Sequence, residues 1–354
     1  MELSYKPDLA DAQEHWRAFW NHDIIKRPCV AVRAPKAGVE WVPGTPIQFL
    51  PDIDFDKLLD QADAHHAGVY HGGESMPRMG LGFGPDQLAA FVGGVLERSE
   101  DSSGTSWSKP FVEDWESVLP LKLEGAHWER ILEMYRQAGE RGNGKFLVDM
   151  MDMHSNFDWL AAIRSPDKLC MDLIDTPELV HRAMKNVREL YLEVCRQTYA
   201  AGNMAGRGSC GWLPYYSEGK FVTTQCDFCL LLSPDLFNEF VMPALVEECE
   251  AADHSVYHYD GRGALTHFDA ITGIESLDSI QWTISAGDEK QTLTDWVDLL
   301  QRFQGRGKSV YVSCGIEELK VLHPQLKPNL VFYDTWADSP QKADDLLKWL
   351  ESNT

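Results

Sequence analysis

Positive charge is scarce in this chain. Lys and Arg number 32 against 55 Asp and Glu, a formal charge of −23 at pH 7. So acidic a surface repels phosphate backbones and anionic lipid, so neither nucleic acid nor membrane is expected as a partner. Long apolar runs are missing as well. None approaches the ~18 residues that a membrane span needs. The opening MELSYKPDLADAQEHW lacks the basic-then-apolar pattern of a signal peptide. A cytoplasmic location is the expectation, with the eight cysteines kept as thiols. There is no P-loop, no G-x-G-x-x-G after a strand, no H-E-x-x-H and no G-x-S-x-G. Kinase, metalloprotease and serine-hydrolase readings therefore lose their support. Cys226 and Cys229 have C-x-x-C spacing but no second such pair, and they precede an apolar run where thiols pack as small hydrophobes.

What is present is a regular alternation. Residues 8–21 read as an amphipathic helix with Trp16, Phe19 and Trp20 on one side. CVAVRAP (29–35) reads as a first strand. Further strands are expected at 146–151, 204–209, 255–260, 280–284, 309–314 and 330–334, with helical patterns between them. One more strand must lie within 36–145, where glycine-rich segments obscure the pattern. There the polar stretch SEDSSGTSWSKPF reads as a hairpin or loop. Strands alternating with helices of this length predict βαβ units and a parallel sheet. A (β/α)₈ barrel takes about 250 residues, leaving roughly 100 for an extension and insertions. The expected fold is a single-domain (β/α)₈ TIM barrel over 1–354, with an N-terminal helical extension over about 1–28.

Barrel enzymes place their chemistry at the C-terminal strand ends. SVYHYD ends in His258-Tyr259-Asp260-Gly261. Residues two apart on a strand share a face, so His258 and Asp260 converge as metal ligands, as an acid–base couple, or as a purely structural pair. Cys314, at the end of SVYVSC, is a candidate third ligand for zinc. The aromatic stretch 211–228 brings Trp212 and Tyr216 as candidate walls of an organic pocket, with Asp227 as its polar group. Trp282 and Trp336 extend that wall, and Asp334 adds a carboxylate. Arg33 and Lys36 are rare cations that can hold a carboxylate. Asp149, Asp152, His154 and Asp158 form another polar cluster after a strand, which the sequence does not rank.

These residues resemble the uroporphyrinogen decarboxylase-like superfamily, which includes cobalamin-linked methyltransferases. RPCVAVRAP is similar to that family's opening strand, with Arg33 where a substrate-contacting arginine falls. QCDFCLLLSPDLFNEFVMPAL (225–245) resembles its Asp, Leu-Ser-Pro and Phe–Phe–Pro stretch. YHYDGRGALTHFDAI and IQWTISAGD (280–288) look like a divergent subgroup. The resemblance implies a (β/α)₈ barrel with a deep polar cleft. The chain also departs from it: Lys36 stands near where the decarboxylases carry a second arginine, and Thr335-Trp336-Ala337 replaces their His-containing turn. In the methyltransferase branch's zinc motif, His258 matches and Asp260 replaces a cysteine.

Three readings stay open. One is zinc-dependent methyl transfer from a small-molecule substrate to a thiol or to a corrinoid carried on a separate protein. Another is a metal-free decarboxylase or lyase acting on a carboxylate. The last is a non-catalytic binding protein. A homodimer is the default assembly.

Overall fold

The structure, a computed structural model, describes residues 2–46, 48, 51–99, 105–284 and 290–354. Positions 100–104 of the polar stretch and 285–288 of IQWTISAGD lie outside the described residues. In chain order the strands are β1 Cys29–Pro35, β2 Val69–Gly73, β3 Arg78–Met79, β4 Val95–Arg98, β5 Ser106–Lys109, β6 Leu147–Met150 and β7 Ser209–Gly211. Then follow β8 Tyr216–Ser217, β9 Phe221–Thr224, β10 His254–Asp260, β11 Ser279–Thr283, β12 Ser309–Ser313 and β13 Val331–Trp336.

They form a seven-stranded sheet in the order β2-β1-β13-β12-β11-β10-β9, a four-stranded sheet β3-β6-β7-β8 and the hairpin β4-β5. Within the large sheet every ladder is parallel except β1 with the edge strand β2. The architecture is therefore mixed α/β with a mostly parallel sheet. The ladders do not join the two sheets into one ring, so a closed eight-stranded barrel is not traced by hydrogen bonds. The stretch 36–145, where the sequence reading left one strand unplaced, holds four short strands, β2 to β5, of which only β3 pairs in parallel, with β6. The strand expected at 204–209 starts only at Ser209, because Gly206 and Gly208 hold positive φ (71° and 76°) and keep the chain in a turn.

Alternation along the parallel strands sorts the core into two clusters. Val30 and Val32, Tyr257 and Tyr259, Val310 and Val312, and Val331 and Tyr333 pack in the larger cluster, with the helices. Cys29 and Ala31, Val256, Tyr311 and Phe332 face the other way, into a second cluster. Burial on both faces is what parallel strands require. The helix Leu9–Trp20 supplies Leu9, Ala12, Trp16 and Phe19 to that second cluster. Trp16 lies 4.8 Å from Phe332 and 6.0 Å from Tyr215, centroid to centroid. These partners sit at the N-terminal ends of the strands, so the helix plugs that end and leaves the opposite end for the site. Among the described residues no helix is long and apolar enough to cross a membrane.

Candidate functional site

On the inner face, at the C-terminal strand ends, the side chains turn polar. Arg33 on β1 donates to Asp334 on β13, and Tyr311 on β12 donates to the other oxygen of Asp334 at 2.7 Å. The Arg33 guanidinium also lies 5.1 Å from the Trp336 ring centroid. Arg78 on β3 pairs with Asp149 on β6 and donates to the Gly211 carbonyl at 2.9 Å. Burial pushes the Asp149 carboxyl up to about 6 against the opposing pull of Arg78. His258 Nδ1 hydrogen-bonds the side-chain amide oxygen of Gln281 on neighbouring β11; with Nδ1 as donor to that oxygen, Nε2 carries the lone pair. The Trp212 ring stands 5.2 Å from the His258 ring at 72°. Asp260 is exposed at the rim, and Gly261 takes the chain out of the strand at φ 80°.

Beside this layer lies a cavity of about 590 Å³. Its polar side is Asp86, His154, Asp158 and Asp227, and its apolar side includes Trp107, Phe228, Leu230 and Leu231. Asp86 lies in the segment after β3, His154 in that after β6 and Asp227 in that after β9. Asp158 belongs to the first turn of the helix Asn156–Arg164. Its two oxygens accept the backbone N–H groups of Asp227 and Phe228 at 2.8 and 2.7 Å, which ties that helix to the loop after β9. His154 Nδ1 lies 3.5 Å from Asp86 and Nε2 3.8 Å from Asp227.

Burial works against an imidazolium here. The hydrogen bond to Asp86 and the charges of Asp158, Asp152 and Asp227 outweigh it and hold His154 up at about 10. Burial, with the Asp227 charge adding to it, pushes Asp158 up to about 7. Asp227 is raised by burial, against the pull of His154 and His258. Oδ1 of Asp152 and Oδ1 of Asp227 are buried with no hydrogen-bond partner among the described residues.

One ligand atom each from His154, Asp158 and Asp227 lies within 4.8 Å of the others, a geometry that can hold a metal ion. An imidazole with two carboxylates suits a divalent cation, which would have to displace the proton that the surrounding carboxylates favour on His154, and the partnerless oxygen of Asp227 is a donor such an ion would satisfy. His258, Asp260 and Cys314 form no such group among the described residues. Cys314 packs against the outer cluster, away from the face that carries His258. Burial pushes its thiol up to about 12.

The other expected residues divide. Arg33, Asp334, Trp212 and Asp227 stand at the strand ends. Tyr216 does not: it is buried in the plugged end, where its hydroxyl accepts from Gln13 at 2.8 Å. Trp282 is on the outer face of β11, 4.7 Å from Trp296. Lys36 bonds the Ala67 carbonyl rather than facing the cleft. Arg78 and Asp86 were missed, since both fall in the stretch whose pattern is obscured. A wider groove of about 750 Å³ lies between the helices Ile316–Leu322 and Pro340–Asn353. Its Glu317–Lys320 and Asp338–Lys342 charges pair with one another, so the carboxylate-lined cavity is the better candidate.

Fold and site together define a mixed α/β protein with a polar cleft at the C-terminal ends of its parallel strands. A solved structure of a methyltransferase from Methanosarcina mazei shares this fold, with a TM-score of 0.61, covering 97% of this chain and 98% of that one at 11% identity. No family model and no curated protein matches the chain.

Proposed function

We propose that this chain is a single-domain (β/α)₈ enzyme of the uroporphyrinogen decarboxylase-like superfamily that transfers a methyl group from a small organic substrate to a thiol or corrinoid acceptor. The observation that carries the reading is the convergence of His154, Asp158 and Asp227 at one side of the strand-end cavity. These residues replace His258, Asp260 and Cys314 as the metal ligands, with zinc or another divalent cation that accepts mixed imidazole and carboxylate donors. A bound cation would supply Lewis acidity toward the acceptor thiol. The chain's own residues do the rest. Asp158 is fixed by two backbone donors, so its carboxylate keeps its aim. His258, oriented through Gln281, presents Nε2 as a proton acceptor. The apolar wall of Trp107, Phe228 and Leu231 holds the organic part of the substrate and excludes water. The likeness to a methyltransferase fold supports this choice of chemistry over others a barrel can host.

Arg33 and Arg78 favour a second reading, the metal-free decarboxylase or lyase. Each guanidinium is already neutralised by an aspartate, and a substrate carboxylate would have to open a closed ion pair, which ranks this reading lower.

The test is an elemental scan of protein purified without chelator, paired with a methyl-transfer assay. The expected result is about one equivalent of divalent metal, falling at least tenfold in His154→Ala and Asp158→Asn but kept in His258→Ala. Methylcobalamin absorbance should grow when cob(I)alamin is supplied with a panel of methylated amines, ethers and thioethers. Metal-free protein and no methylcobalamin with any donor would overturn the proposal.

A further inference from the structure

One buried carboxylate near the cavity takes no part in the proposed chemistry. Glu248, on the helix Met242–Glu250, is 3% exposed and does not line the cavity. Arg188 pairs with the neighbouring Glu247, but among the described residues Glu248 has no ion-pair partner. Its hydrogen-bond partners are neutral and come from two segments. Thr224, at the end of β9, donates to one of its oxygens, and Asn156 Nδ2 donates to the other at 3.3 Å. The Ser155 side chain bonds it as well. Asn156 Nδ2 also donates to the Gln225 carbonyl at 2.8 Å. Ser155, Asn156, Thr224 and Gln225 are all buried. Ser155 and Asn156 lie between His154 and Asp158, and Thr224 and Gln225 lead into Asp227. Asn156 sits at φ 47°, a left-handed conformation that a residue with a side chain keeps where its surroundings fix it.

Building on the metal-ligand reading, we infer that Glu248 is a positioning residue. From behind the cavity wall it locks the segment carrying His154 and Asp158 to the segment carrying Asp227, and so fixes the spacing of the three ligands. A carboxylate without a cation is a costly way to fill a core position. What it offers in return is acceptor capacity: its two oxygens can take several bonds at once, so one side chain reaches both segments. An apolar side chain would fill the same space and join nothing. The bonds from the Asp227 and Phe228 amides to Asp158 close the lock on the cavity side, and Glu248 closes it on the other. With Glu248 released, the cavity-side bonds must hold the register alone, and the ligand geometry loosens although no ligand has been changed.

Two measurements on the full chain test this. Hydrogen exchange needs no metal. In Glu248→Met the amides of Asp227 and Phe228 are expected to exchange about tenfold faster, while those of the helix Leu9–Trp20 keep their rates. Cobalt(II) titration of chelator-treated protein reads the ligands themselves. Affinity should fall about tenfold in Glu248→Met and stay within about threefold of the unaltered protein in Glu248→Gln. The glutamine amide still accepts a bond, and its NH₂ can donate to the hydroxyls of Thr224 and Ser155. Thr224→Val cuts the β9 side alone and should show the same pattern more weakly, so the answer stands even if Glu248→Met does not fold. Cobalt affinity unchanged in the folded variants would overturn the inference. So would exchange that rises alike in every element, the mark of a residue that only supports the fold. If the unaltered protein takes up no cobalt, the ligand reading fails, and the exchange comparison still decides whether Glu248 locks the two segments.

Discussion

Arg78 and Asp149 meet where β3 runs beside β6, and among the described residues neither group has another opposite charge as a direct partner. Asp149 is buried to 1% exposure and keeps one oxygen partnerless among the described residues, so the guanidinium is what makes its charge tolerable. Breaking a buried pair by removing one member strands the other in low dielectric. Arg78→Met is therefore expected to cost about 3 kcal/mol in urea unfolding. The double change Arg78→Met with Asp149→Asn should recover most of it, because the stranded charge is gone. A single-variant cost below about 1 kcal/mol would mean that the carboxyl protonates cheaply and that the pair contributes little. At the same scale, His154 shows why the sequence was only half informative. It was visible as one polar residue among several after β6. Its importance comes from Asp86 and Asp227, which belong to segments far away in the chain. No spacing rule connects those three positions; only the fold does.

Among the elements, the helix Leu9–Trp20 and the strand-end cavity occupy opposite ends of the sheet, which separates stability from binding. Trp16 is 1% exposed, and its Nε1 donates to the Glu74 carbonyl at 3.0 Å. Trp16→Ala removes a large side chain from a packed cluster and is expected to cost about 3–5 kcal/mol. Because the cavity shares no residue with the plug, metal content per folded chain should stay unchanged. A loss of metal in folded Trp16→Ala would show that the two ends are coupled. The sequence showed this helix, and strands such as β1, β10 and β12, because period-two or period-3.6 burial marks them along several residues. It hid β3, which is two residues long, and misplaced β7, where glycines at positive φ delay the strand. Alternation put Trp282 on a strand but could not say which face was the inside, and Tyr216 was read as lining the cleft although its loop dips to the plugged end.

Across the whole molecule, an excess of carboxylates is combined with a few that are buried without enough positive charge. Burial pushes Asp149 up to about 6 and Glu248 up to about 7, the latter despite hydrogen bonds from Thr224, Ser155 and Asn156. Unfolded carboxyls titrate near 4. Between that value and the folded ones, the native chain binds more protons than the unfolded chain. Stability therefore falls as pH rises through this window, the reverse of the usual salt-bridged aspartate. Self-repulsion from a net charge of −23 acts in the same direction, since acidification relieves it too. Buried imidazoles oppose this at lower pH: burial holds His66 down at about 3 and lowers His71, so below about pH 6.5 the unfolded chain takes up their protons and the native one does not. Above that value they are neutral in both states, and the melting temperature at pH 6.5 is expected to exceed that at pH 8 by roughly 1–3 °C. Salt separates the two contributions. Repulsion across the surface is screened at 0.5 M sodium chloride, where the Debye length is only about 4–5 Å, whereas the cost of ionising Asp149 and Glu248 in the interior is not. If the difference between pH 6.5 and pH 8 survives high salt and shrinks in Glu248→Gln, the buried acids cause it. If high salt abolishes it, the surface charge does, and the interior carboxyls titrate near their ordinary range.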